Sequence, residues 1–290
     1  MKRSLKTAIE AGEFIVAPGL HDMIAAVVSN KVGFDFVYAS GYWATASAHG
    51  LPDAGIATYT QMLDRVATLV RTVNAGVIAD ADTGYGGLLN VHHTVRGYED
   101  AGVIAIQIED QEFPKKCGHT PFKRVVPTRD MVDKVKVACA ARRCPETLII
   151  ARTDARQTDG FDGALKRGQT YGDAGADIVF IEALESEDEM RRACARINKP
   201  MMANMADGGK TPIRSAAELD AIGYRLAIFP ATTGLAAAHA AEVALSILKK
   251  SGTSVSPSLP LFPFGEFNSL IGFEDVWAFE RKWGHRDIET

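Results

Sequence analysis

The chain has 290 residues, 47% of them hydrophobic and 23% charged, and a formal net charge of −4. This composition supports one large apolar core and excludes a disordered chain; the lack of a basic stripe excludes a nucleic-acid partner. No apolar run reaches the roughly 18 residues needed to span a bilayer, and the N-terminal MKRSLKTAIEAGEF has no apolar stretch of a secretory signal. The irregular spacing of Cys117, Cys139, Cys144 and Cys194 favours reduced thiols, so a cytoplasmic protein with no membrane partner is predicted.

In chain order, continuous apolar runs predict strands at 14–17, 36–39, 77–81, 104–108, 148–151, 178–181, 201–203 and 226–229. Such runs suit a parallel sheet buried on both faces. Helical segments separate most of them, among them 61–73, 91–100, 129–142 and 163–173. A weak repeat reinforces the pattern: VGFDFVYAS, AGVIAIQIE, AGADIVFIE and IGYRLAIFP each carry a glycine and then a strand. Glycine suits the left-handed position that closes a helix, so Gly33, Gly102, Gly175 and Gly223 mark helix ends. Seven positions after these glycines stand Ser40, Glu109, Glu182 and Pro230, at predicted carboxyl ends of strands. Eight βα units in one chain predict an α/β fold, a (β/α)8 TIM-type barrel over 1–250 whose site is built on that rim. The Ser/Pro-rich stretch after 250 and an amphipathic helix over 268–283 form a C-terminal extension, 251–290, that packs on its own barrel or on a neighbouring subunit.

The rim residues carry chemistry. Asp80 and Asp82 stand in a glycine-rich stretch, DADTGYGG, which suits a hard divalent cation; it matches neither an EF-hand loop nor a phosphate loop. Glu109 and Asp110 add acids that would repel Asp80 and Asp82 without a cation between them. Arg152 offers a bidentate fork for a substrate carboxylate, or else pairs with the acids. Glu182 and Asn204 are further polar strand-end residues. Cys117 lies in a long lid-like loop, Lys115-Lys116-Cys117-Gly118-His119. A thiol beside two lysines and a histidine is expected to have a lowered pKa and to serve as acid, base or nucleophile. Zinc is not expected, because Cys117 and His119 lack two more nitrogen or sulfur ligands. His92 and His93 read as surface or interface residues.

At Ser40-Gly41, DADTG (80–84), IEDQ (108–111), KKCGH (115–119), ARTD (151–154), Glu182 and Asn204 the chain resembles the isocitrate lyase/phosphoenolpyruvate mutase superfamily, in order over residues 10–250. The resemblance implies a bound Mg2+, with Mn2+ as a possible substitute, a C-terminal helix swapped between subunits, and a homotetramer made of two dimers. It implies Asp80 and Asp82 as metal-site residues, with Glu109 holding metal-bound water. It places Ser40, Gly41, Arg152, Glu182 and Asn204 around a 2-oxo-acid half of the substrate, with Tyr42 and Gly118 as their neighbours. Cys117 matches the catalytic thiol of the lyase branch, with Arg152, Glu109 and His119 completing the catalytic set. The KKCGH loop implies carbon–carbon cleavage of a 2-hydroxy dicarboxylate by retro-aldol chemistry. The alternatives on the same site are oxaloacetate hydrolysis or decarboxylation, and 2-methylisocitrate cleavage. Leu235 and Phe264 stand where the methylisocitrate-cleaving branch carries arginines, so a substituted malate such as 2,3-dimethylmalate is the expected substrate; Arg225 or Lys210 could supply a replacement cation.

Overall fold

The protein is described by a computed structural model over residues 2–284. Its strands are β1 (Ile15–Pro18), β2 (Phe36–Ala39), β3 (Gly76–Asp80), β4 (Ala105–Glu109), β5 (Leu148–Thr153), β6 (Ile178–Ile181), β7 (Met201–Asn204) and β8 (Leu226–Phe229). Its helices are α1 (Leu5–Glu10), α2 (Met23–Val32), α3 (Gly41–His49), α4 (Tyr59–Thr72), α5 (Leu88–Asp100) and α6 (Thr128–Ala141). They continue with α7 (Gly160–Asp173), α8 (Glu187–Arg196), α9 (Ala216–Ile222), α10 (Thr232–Ser251), α11 (Phe264–Leu270) and α12 (Phe273–Trp283).

The strands are parallel, in the order β1-β8-β7-β6-β5-β4-β3-β2. The ring comes together between β1 and β2 through the Gly19–Tyr38 bridge and the Leu20 N–H, which donates to the Tyr38 carbonyl at 3.1 Å. The result is a nearly closed (β/α)8 barrel, and each predicted strand falls on an observed one, three of them with identical ends and the rest with ends moved by at most two residues. The four repeat glycines all have φ between 88° and 121°, the left-handed closure expected of them. The predicted helix over 61–73 begins earlier because Thr58 and Gln61 form a capping box.

Alternation along the strands decides what the rim presents. Phe36 and Tyr38, Ile78, Ala105, Leu148 and Ile150, Ile178 and Phe180, Met202, and Leu226 and Ile228 fill the barrel interior, closed below by Leu5 and Ala8 of α1. Val37, Val77, Ile106, Ile149 and Ala151 face the helices. Side chains two residues apart share a face. Carrying the inward set one step further, or on β4 two steps by way of Gln107, brings Ser40, Asp80, Glu109, Arg152, Glu182, Asn204 and Pro230 over the mouth. The residues singled out by the glycine register are therefore the last inward positions of their strands.

The tail departs from the single predicted helix. Gly272, at φ 91°, breaks 268–283 into α11 and α12. Lys31 of α2 pairs with Glu266 and lies 5.2 Å from the Phe262 ring centre, which fastens the start of the tail to its own barrel. The apolar stripe of α12 is left open: Phe273, Val276, Trp277, Phe279 and Trp283 are 39–64% exposed.

Candidate active site

Above the inward layer lies a cavity of about 210 Å3. Its floor is a hydrogen-bonded layer: the Tyr38 hydroxyl donates to Gln107 Oε1 at 3.0 Å, and Gln107 Nε2 donates to Asp80 Oδ1 at 3.2 Å. Of the predicted site residues, Ser40, Tyr42, Asp80, Glu109, Cys117, Gly118, His119, Arg152 and Asn204 line the cavity. Gly41, Asp82 and Glu182 stand directly behind this lining. The Gly41 N–H donates to Asp80 Oδ2 at 3.3 Å, and a Cβ at Gly41 would meet that oxygen at 2.9 Å and Asp82 Oδ1 at 3.1 Å. The N-terminus of α3, with its positive dipole end, thus abuts the acid cluster.

Arg152 pairs with the acids, the second of the two sequence readings. Its Nε and Nη2 form a fork on Asp154 at 2.8 and 3.0 Å, and the same two nitrogens approach Glu109 at 3.3 Å and Glu182 at 3.2 Å. It still faces the cavity, stacked 5.2 Å from the Phe180 ring centre. Asn204 Nδ2 donates to Glu182 Oε2 at 3.0 Å, and His119 Nε2 lies 3.6 Å from Glu182 Oε1. The Lys210 N–H approaches His119 Nδ1 at 3.3 Å, and His119 Nε2 also lies 3.4 Å from Asn204 Nδ2.

The loop between β4 and α6 closes over this assembly. A bridge between Gln111 and Val125 joins its two limbs, and the Gln111 side chain holds both the N–H and the carbonyl of Lys116. At its tip Gly118 sits on the charged layer; a Cβ there would lie 2.2 Å from Arg152 Nη2 and 2.7 Å from Glu182 Cγ. Only glycine fits.

Cys117 corrects an expectation. Its pKa is raised, not lowered: burial of the thiol outweighs the His119 N–H and the Arg152 charge. The lysines beside it in sequence point elsewhere. Lys115 Nζ lies 2.5 Å from Asp53 and 2.7 Å from Asp82, and Lys116 Nζ donates to the Phe122 carbonyl at 3.3 Å. A buried thiol that keeps its proton suits a general acid better than a thiolate nucleophile.

The acids have the opposite problem. Asp53, Asp80, Asp82, Glu109, Asp154 and Glu182 outnumber the cations Lys115, Lys123 and Arg152. Burial raises the Glu109 carboxyl well above the usual range, with Asp154 and Asp80 adding to the rise against Arg152 and Lys115. Burial, with Asp80 and Asp53, pushes Asp82 up to about 6 despite Lys115. Glu109 Oε1 and Asn204 Oδ1 are buried without a hydrogen-bond partner, and Asp82 Oδ1 meets Lys115 in a geometry unsuited to one. Among the described residues no group of three histidine, cysteine or acidic side chains converges on one point. Mg2+ is usually held by one or two carboxylates with water completing its shell. Of the acids here, Asp80, Asp82 and Glu109 are those that could offer such carboxylates.

The outer wall is apolar, formed by Trp43, Ala206, Ile228, Pro230 and Leu235. Trp43 packs on Gly234, where a Cβ would meet its ring at 2.4 Å. Leu235 stands where predicted, but Phe264 does not: on α11, 78% exposed, it is outside the cavity lining. Arg225 is at the opposite end of β8, paired with Asp220 at 2.7 Å. Lys210 lines an adjoining groove with His119, Phe122 and Arg156. Sequence reading missed Asp53, Trp43 and Lys123. Asp53 and Lys123 carry no local signal, because each reaches the site through a long-range ion pair, whereas Trp43 directly follows Gly41 and Tyr42.

The phosphoenolpyruvate phosphomutase family signature matches residues 5–248. The chain is 43% identical over 279 residues to 2,3-dimethylmalate lyase of Eubacterium barkeri, covering 96% of each. It is 42% identical over 271 residues to 2-methylisocitrate lyase of Aeropyrum pernix, covering 93% of this chain and 87% of that one. The structure of oxaloacetate acetylhydrolase with 3,3-difluorooxalacetate is similar at TM-score 0.92 and 30% identity, covering 99% of this chain and 98% of that one.

Proposed function

The chain belongs to the phosphoenolpyruvate mutase/isocitrate lyase superfamily, and on that premise we propose that it is a Mg2+-dependent carbon–carbon lyase acting on a substituted malate such as 2,3-dimethylmalate. The observation that carries this reading is the half-buried Cys117, its pKa raised by burial, held over an acid-rich, Arg152-bearing cavity with an apolar outer wall. The test is whether 2,3-dimethylmalate is converted to pyruvate and propionate in equal amounts. Oxaloacetate hydrolysis is the second reading, favoured by the similarity to the acetylhydrolase structure; it would release oxalate and acetate instead.

The 2-hydroxy-acid half sits against Ser40 and the N-terminus of α3, with Arg152, Glu182 and Asn204 around its carboxylate. The 2-hydroxyl proton passes to a carboxylate of the site. The C2–C3 bond breaks, its electron pair moves onto the C3 carboxylate fragment, and C2–O becomes the carbonyl of a 2-oxo acid. Cys117 delivers its proton to C3 and recovers one from the pool left by the hydroxyl. Arg152 and buried hydrogen-bond donors stabilise the charge that builds on the fragment, in a site the lid keeps from water. When bound, Mg2+ supplies Lewis-acid stabilisation of the substrate oxygens.

Chelation with EDTA is expected to abolish turnover, and added Mg2+ to restore it, with Mn2+ as a partial substitute. Asp82 binds the ion as a carboxylate, and its raised pKa of about 6 means protons compete as pH falls. Metal affinity should hold above that value and weaken about tenfold per pH unit below it. Calorimetric titration of Mg2+ at several pH values checks this; a flat profile between pH 5 and 7 would remove Asp82 from the ligand set.

The same proposal includes a cytoplasmic location, for which the four free cysteines speak, and a homotetramer in which residues 251–290 pack on a neighbouring subunit. The open apolar face of α12 supports that packing. No described helix is long and apolar enough to cross a membrane. Deleting residues 268–290 should shift sedimentation to smaller species or cause aggregation. An unchanged sedimentation coefficient per subunit mass would count against the exchange.

A further inference from the structure

Lys123 is part of no family motif singled out in the sequence, yet it is one of the most buried cations in the chain. Its side chain is 1% exposed and that of its partner Asp154 is 0% exposed, with Nζ 2.8 Å from Oδ1. The same Nζ donates to the carbonyl of Gly118, the lid residue that sits on Arg152. Asp154 in turn holds Arg152 by two hydrogen bonds and is itself fixed from behind: its N–H donates to Asp110 Oδ1 at 2.9 Å, and Asp110 Oδ2 is held by Thr153 and Tyr171. One carboxylate therefore bridges the substrate-facing guanidinium and a cation carried by the lid. Burial alone would raise the Asp154 pKa, but Arg152 and Lys123 outweigh it, so this carboxylate stays charged.

We propose that Lys123 is the latch of the lid: a positioning residue that ties the Gly118 carbonyl to the Asp154–Arg152 pair and so seats Cys117 over the reacting carbon. The lid has two cationic anchors, Lys115 on the metal-side acids and Lys123 on the substrate-side acid. The second responds to ligand. When a substrate carboxylate draws on Arg152, more of the Asp154 charge is left to Lys123, and the lid tightens at the moment the thiol is needed. Gln157, 3.4 Å from the same carbonyl, is too long a contact to replace it.

The role in turnover rests on the lyase reading; the latch itself can be tested without it. In Lys123→Met, iodoacetamide labelling of Cys117, followed by mass spectrometry, should rise about tenfold or more, the effect of losing a charge-assisted bond from the closed state. Labelling of Cys194, half-buried on α8 and far in the fold from the lid, reports global unfolding in the same sample and should not change. Oxalate should slow Cys117 labelling in the wild type and do so less in the variant. With a turned-over substrate, kcat should fall about 10²-fold with KM little changed, the effect of a misplaced reacting group. Lys123→Arg should restore both readouts. If Cys194 is also exposed in Lys123→Met, Lys123→Gln, which keeps the Gly118 bond without the charge, carries the same measurement. Wild-type labelling of Cys117 in a folded Lys123→Met or Lys123→Gln protein would overturn the proposal. Faster labelling in a protein that cleaves no malate would leave the latch standing and remove the lyase reading.

Discussion

Cys117→Ser should lose about 10²–10⁴-fold in kcat, the contribution of general acid catalysis, while oxalate binding measured by calorimetry changes little. Serine matches the thiol in shape but is a far weaker acid. The direction of the Cys117 shift makes a second statement about the wild type. The acid must hold its proton, and burial raises its pKa, so kcat should persist through neutral pH and fall only as pH rises past the ordinary thiol range. A thiolate nucleophile would behave in the opposite way, gaining activity with pH. A kcat for Cys117→Ser within a factor of two or so of wild type would remove the thiol from the chemistry, since even the weak end of acid catalysis is about 10²-fold.

Arg152→Lys should lower kcat/KM by about 10²–10³-fold. A lysine keeps the charge but cannot hold Asp154 through two nitrogens while reaching Glu182 and a ligand. Arg152→Met should in addition destabilise the fold by about 3–5 kcal/mol, because it leaves Asp154, Glu109 and Glu182 buried without their shared cation. Denaturant unfolding separates the two effects: the lysine variant should lose activity at near-native stability. Equal stability for the methionine variant would mean that water or another cation already satisfies these acids.

The barrel and its rim were legible because two simple periods coincide. Glycines 33, 102, 175 and 223 close helices, and the inward alternation of each following strand ends seven residues later on Ser40, Glu109, Glu182 and Pro230. Asp80, Asp82 and Arg152 were legible as charges at the ends of apolar strands, and all three fall on the rim. Electrostatics inside the lid were not legible. Lys115 and Lys116 neighbour Cys117 in sequence, yet their ammonium groups turn to Asp82 and Phe122, so the thiol experiences burial rather than positive charge. Asp53 and Lys123 join the site by ion pairs across tens of residues, which no local spacing encodes. Phe264 was misplaced because position in the tail does not report which face of α11 it occupies or which barrel it meets.

The central claim is that this cavity cleaves a dicarboxylate bearing alkyl groups rather than a third carboxylate. The wall of Trp43, Ala206, Ile228, Pro230 and Leu235 is apolar, Lys116 at the cavity turns its ammonium to the Phe122 carbonyl, and Arg225 is at the far end of the barrel. Burying an unpaired carboxylate there costs several kcal/mol, whereas each buried CH2 contributes about 0.8 kcal/mol. The direct measurement is kcat/KM for 2,3-dimethylmalate, 2-methylisocitrate and oxaloacetate under one set of conditions with Mg2+, with products identified by NMR. Dimethylmalate should be preferred over methylisocitrate by about 10²-fold or more, since roughly 1.4 kcal/mol is already tenfold, with pyruvate and propionate as products. A preference for methylisocitrate, or oxalate and acetate from oxaloacetate as the fastest reaction, would contradict it.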